Sequence, residues 1–80
     1  MVRVKVLYFA SLRDAAGVAE ETVESGAASL RALYDQLRER HGFALPADRL
    51  RVAVGGAFAN WDDALAEGSE VAFIPPVSGG

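Results

Sequence analysis

Glu70-Val71-Ala72-Phe73-Ile74-Pro75-Pro76-Val77-Ser78-Gly79-Gly80 is the stretch around which the rest of this chain is organised. Residues 70–74 read as a strand whose two faces, Val71 with Phe73 and Ala72 with Ile74, are both apolar, which is the pattern of a central strand. Pro75 and Pro76 end it. Neither has an N–H to donate and both hold φ near −65°, so the chain continues extended instead of paired. At ~3.1 Å per residue, residues 75–80 reach up to roughly 19 Å. Gly79 and Gly80 carry no Cβ, so the carboxylate of Gly80 is expected on a backbone narrow enough for a slot that excludes side chains. The chain is therefore expected to divide into a folded body, residues 1–74, and an extended tail, residues 75–80.

The other strongly apolar strand lies at the opposite end of the sequence. In residues 2–9, Val2, Val4, Val6 and Tyr8 share one side and are expected in the core; Arg3, Lys5, Leu7 and Phe9 share the other. That second side starts charged and ends apolar, which places Leu7 and Phe9 on the open face of a sheet. Ser11 to Gly17 reads as a short helical turn with Ser11 as its N-cap and Gly17 as its stop. Residues 18–24 read as a solvated edge strand whose Glu20, Glu21 and Glu24 are surface charges without a partner to shift their pKa. Ser29 caps the one long helix, which runs to about His41 with Leu30, Leu33, Tyr34 and Leu37 as its apolar stripe. Arg38 and Arg40 suit its last turn, Gly42 its end, and Phe43 a closing contact on Leu37; His41 is expected to be structural.

Residues 44–48 read as a loop, residues 50–54 as a strand, and Gly55-Gly56 as a tight hairpin turn into Ala57-Phe58-Ala59. A phosphate-binding role for these glycines would need a helix directly behind them and a Lys, and the sequence has neither. Residues 60–65 read as a short turn with Leu65 anchored in the core and Asp62 and Asp63 as turn residues, not a cation site.

Composition narrows the function. Eighty residues, 51% hydrophobic and 24% charged, make one small domain without space for an enclosed substrate cavity. The net charge of −3 with scattered basic residues argues against nucleic acid as a partner. No apolar run approaches the length of a membrane span and the N-terminus does not resemble a signal peptide, so the expectation is a cytoplasmic protein with no membrane partner. With no Cys and a single His, disulfides, thiolate nucleophiles and metal clusters are not expected. Lys5 is the one lysine among eight basic residues, so side-chain amines for modification are few.

The element order is strand, strand, helix, strand, short strand, strand. With the first and last strands parallel at the middle of a mixed sheet and the helix across one face, this is an α+β, β-grasp arrangement. The ending Phe-Ile-Pro-Pro-Val-Ser-Gly-Gly, the opening Val4-Lys-Val-Leu-Tyr-Phe-Ala-Ser-Leu-Arg13 and the helix between them resemble the ubiquitin-like sulfur carriers, the family of the small subunit of molybdopterin synthase and of the thiamine sulfur carrier. The resemblance covers the whole chain. It implies that Gly80 is adenylated by an activating enzyme that uses ATP, then thiocarboxylated with sulfur from a donor protein, while Gly79 gives passage through the partner's slot. The large subunit of molybdopterin synthase would receive the tail, hold the catalytic pocket, and take sulfur for the dithiolene of molybdopterin. No cofactor would be bound by this chain alone.

The docking surface that the resemblance implies matches Phe9, Phe58 and Ile74 here, with Pro75, Pro76, Val77 and Ser78 leading into the slot. Phe58 has a second reading, as the residue that closes the hairpin side of the core. One departure is the Gly55-Gly56 turn, where many relatives carry a polar pair. Two other functions fit a Gly-Gly ending: a protein modifier conjugated through Gly80, and a sulfur carrier for thiamine or tRNA thiolation.

Overall fold

In the computed structural model, which describes residues 1–76, β1 (Val2–Tyr8) and β5 (Glu70–Ile74) lie side by side and parallel. β2 (Glu20–Ser25) pairs antiparallel outside β1, β3 (Arg51–Val54) pairs antiparallel outside β5, and the two-residue β4 (Ala57–Phe58) closes the far edge. The order β2-β1-β5-β3-β4 makes the doubly apolar strand the central one of five, as its sequence pattern requires. One long helix, α2 (Leu30–His41), supplies the buried stripe Leu30, Leu33, Tyr34 and Leu37. This is the β-grasp arrangement.

Register assigns each strand residue to a face. Val4, Val6 and Tyr8 of β1, Val52 of β3, and Val71 and Phe73 of β5 are buried in one cluster with the α2 stripe. A one-residue slip in any strand would send its apolar set to the other side. Gly55 and Gly56 both take positive φ, 60° and 88°, as a two-residue hairpin turn matched to strand twist demands.

The ends of α2 follow local chemistry. Ser29 Oγ accepts from the Ala32 N–H at 3.1 Å, a cap worth about 1 kcal/mol. Gly42 adopts φ 74° and its N–H donates to the Arg38 carbonyl. The Phe43 ring then stacks on Tyr34 and meets Tyr8 edge-on. Two further N–H groups of the first turn are satisfied from far along the chain: Leu30 N donates to the Asp63 carbonyl at 2.9 Å and Arg31 N to the Trp61 carbonyl at 3.0 Å. The segment read as a simple turn therefore also caps the helix. Its Trp61 ring lies parallel to the buried Phe73 at 5.9 Å, a packing role that the sequence reading missed.

Several local expectations need correction. The short helix α1 spans Ala10–Ala16, with Phe9 and not Ser11 at its N-cap position and no side-chain cap bond; Gly17 does end it. Its entry is made by backbone conformation, since Ala10 takes φ +50°, a left-handed value that costs a non-glycine residue on the order of 1 kcal/mol. The loop before β3 contains a 3₁₀ turn, Ala47–Arg49. Glu21 is not a solvated surface charge. Its side chain is 23% exposed, Tyr8 Oη donates to Glu21 Oε2 at 2.5 Å, and His41 Nε2 donates to the same oxygen at 2.7 Å. Burial by itself would raise the Glu21 pKa, but the Tyr8 hydroxyl, the His41 ring and Arg40 together outweigh it and hold the carboxyl below its ordinary value. Burial, then the Glu21 carboxylate, push the Tyr8 phenol well above its usual range. His41 is thus a structural residue at the helix end, joining α2 to β2.

Candidate functional site: the open sheet face and the root of the tail

The face of the sheet away from α2 carries an apolar row that crosses four strands. Leu7 pairs with Ala72, Ala72 with Ala53, and Ala53 with Phe58. Side chains in register on one face are neighbours, so these form a continuous strip. Phe9, just past the end of β1, is 45% exposed, and Phe58 is 69% exposed. Together with Leu7, Ala53, Ala72 and Ile74 they line a depression of about 270 Å³. The structure therefore brings Phe9, Phe58 and Ile74, three expected docking residues far apart in sequence, onto one surface. Phe58 does not close the core: it is 69% exposed, with the Arg51 guanidinium 5.6 Å from its ring centroid.

Ile74 is the residue at which the face meets the tail. Two larger grooves flank it. One, of about 570 Å³, runs between Phe9, Ala10, Ser11 and Leu45 on one wall and Ile74, Pro75 and Pro76 on the other. The second, of about 610 Å³, has Arg49, Arg51, Phe58, Asn60 and Trp61 opposite the same Ile74-Pro75-Pro76 segment. Pro75 is buried and Pro76 exposed, so the fold grips the chain through the first proline. Val77, Ser78, Gly79 and Gly80 lie outside the described residues.

Electrostatics differ along the open face. At the end remote from the tail, Lys5 Nζ sits 3.0 Å from Glu20 and Arg3 3.1 Å from Glu24. The Glu20 carboxylate, with a smaller contribution from Glu70, raises the Lys5 pKa and keeps that amine charged. Around the tail root the described residues include no His, Cys or Lys, and among the described residues no group of three His, Cys, Asp or Glu is placed to hold a metal. The arrangement is an exposed apolar surface beside the end of β5.

Comparison with known proteins decides the family, because the ThiS family model matches residues 6–80, from the parallel central strands through the tail. The chain belongs to the ThiS family. It is 35% identical to the molybdopterin synthase sulfur carrier subunit of Escherichia coli (strain K12), over 96% of this chain and 99% of that protein. Among solved structures it resembles molybdopterin converting factor subunit 1 of Pyrococcus furiosus, with 36% identity, a TM-score of 0.78, and coverage of 96% of this chain and 100% of that one. It also resembles SAMP1, a small archaeal modifier protein of Haloferax volcanii, with 31% identity, a TM-score of 0.78, and coverage of 98% and 99%. Among the described residues of this ThiS-family chain, no helix is long and apolar enough to cross a membrane. Arg51 and Trp61, both beside the tail root, were not singled out from sequence; an isolated Arg in an alternating strand and a Trp in a turn carry no local signal of their surroundings.

Proposed function

We propose that this chain is the sulfur carrier subunit of a cytoplasmic molybdopterin synthase, working through the carboxylate of Gly80. The supporting observation is the placement of the tail root: the central strand ends at Ile74 on the rim of an apolar face that stays exposed among the described residues. A partner that covers Phe9, Phe58 and Ile74 receives, in the same act, the chain that leaves at Pro76. The full-length similarity to a molybdopterin synthase sulfur carrier subunit supports the same reading.

In this reading the Gly80 carboxylate, ionised at neutral pH and inert toward nucleophiles, attacks the α-phosphate of ATP on an activating enzyme and releases pyrophosphate. Sulfide-level sulfur delivered by a donor protein attacks the acyl carbon of Gly80, AMP leaves with the electrons of the broken C–O bond, and a thiocarboxylate remains. The large subunit of molybdopterin synthase takes Pro76, Val77, Ser78 and Gly79 into its slot and uses the sulfur to build the dithiolene. The folded body acts as the handle, and the catalytic pocket belongs to the large subunit. The test is mass analysis of the chain after incubation with its activating enzyme, ATP and a sulfur donor: replacement of one C-terminal oxygen by sulfur is expected. Gly79→Val should abolish transfer to the large subunit while the melting temperature stays unchanged, and a variant that still transfers sulfur would overturn the threading role.

The similarity to SAMP1 favours a second reading, a protein modifier joined through Gly80 to amines on other proteins. Isopeptide-linked Gly80 on cellular proteins would support it; the two activities share the adenylated intermediate and are compatible.

A further inference from the structure

Arg51 stands apart from the other charges on the open face. It lies opposite Ile74 in the β3–β5 register, on the same face as Ala53 and Phe58, with its guanidinium over the Phe58 ring at 5.6 Å. Among the described residues it has no carboxylate within ion-pairing distance, whereas Lys5 and Arg3 at the remote end are already neutralised by Glu20 and Glu24, and Arg31 by Asp48. Any protein that covers Phe58 must also cover the cation resting on it. Taking an unpaired guanidinium out of water is costly unless the covering surface brings an acceptor, and the planar fork of Arg is best matched by a carboxylate.

We infer that Arg51 is a specificity-determining residue of the docking face, and that the protein which receives the tail presents an Asp or Glu to it at the rim of its slot. The inference rests on the proposed docking of this face on the large subunit. Its consequence is directional. The neutralised end of the face asks nothing ionic of the partner, whereas the tail-root end carries Arg51, with Arg49 beside it in the same groove, and neither has a carboxylate in ion-pairing distance among the described residues. A partner placed the wrong way round would leave Arg51 buried without a counter-ion, so its charge helps set the orientation in which the tail meets the slot.

The test is binding of the full chain to the large subunit of molybdopterin synthase from the same genome, measured between about 50 and 500 mM NaCl. The wild type is expected to bind more weakly as salt rises. Arg51→Met, which keeps a stem over Phe58, should lose on the order of tenfold in affinity and most of the salt dependence, Arg51→Glu should lose more, and Arg51→Lys should fall between wild type and Arg51→Met. Phe9→Ala serves as the control for the face itself. If the Arg51 variants bind with wild-type affinity and salt slope while Phe9→Ala is weakened, the carboxylate contact is wrong and the docking face stands. A weaker Arg51→Met with an unchanged salt slope would likewise sink the ionic contact. If Phe9→Ala also binds normally, or the wild type does not bind, the docking reading fails and this inference with it.

Discussion

The two faces of this sheet are built from the same kinds of residue and meet opposite fates. On one, Phe73 is fully buried, with Trp61 stacked on it and Tyr34 edge-on to it. On the other, Phe58 sits in the adjoining hairpin at 69% exposure with the Arg51 guanidinium over its ring. Both are phenylalanines in short strands of one small domain. The difference teaches that apolar character marks a surface to be covered without saying by what: α2 and the Trp61 segment cover the first face from within the chain, while Phe9 and Phe58 on the second stay exposed among the described residues.

That contrast can be broken by making the same deletion on each face. Phe73→Ala should cost about 3–5 kcal/mol and lower the thermal midpoint sharply, because the transfer free energy is lost and a cavity is left under Tyr34 and Trp61. A loss below ~1 kcal/mol would mean that the covered face is not the core. Next in size, Tyr8→Phe removes the hydroxyl from Glu21 and should cost roughly 1.5–3 kcal/mol in denaturant titration, as expected for a hydrogen bond to a charged group. The same carboxylate gives the covered side a pH signature. A group whose pKa is lowered by folding contributes stability that is present above its unfolded value and lost as pH falls through the folded one. Glu21 should therefore make stability decline as pH drops below its ordinary 4.5, and Glu21→Gln should show a shallower decline over that interval. Identical acid profiles for the two proteins would remove Glu21 from the account.

The smallest effects on stability belong to the open face. Phe58→Ala should cost under about 1 kcal/mol, little more than the exposed cation–π contact with Arg51. Phe9→Lys should leave stability within ~0.5 kcal/mol of wild type and weaken binding to the large subunit. If Phe9→Lys were instead strongly destabilising, both faces would be core and the comparison would collapse.

Legibility from sequence followed the range of the interactions. Helix α2, from its Ser29 cap to its end near His41 and Gly42, was readable because a hydroxyl at the N-cap, a 3.6-residue apolar period and a glycine at the C-terminal end act within a few positions of each other. The Gly55-Gly56 turn and the central place of residues 70–74 were legible for similar reasons: two adjacent residues free to take positive φ, and a strand with no polar face. Phe9 could be assigned to the open side by alternation, and Ile74 by the family resemblance. The start of α1 was misplaced because Ser11 looks like a cap, while the observed entry depends on an alanine held at positive φ.

What residue types and local patterns determined by themselves, then, was helix α2 with its caps, the Gly55-Gly56 turn and the apolar character of both faces of residues 70–74, since each rests on backbone preferences or on periodicity within a few residues. Tertiary structure alone decided that Glu21 meets Tyr8 and His41, that Trp61 covers Phe73 and helps cap α2, that Phe58 stays exposed, and that Arg51, beside Ile74, has no ion-pair partner among the described residues. Those contacts join positions brought together by strand register and by the path of the chain over the sheet. A period of two or of 3.6 says which side a residue faces, but not which residue from elsewhere in the chain will be waiting there.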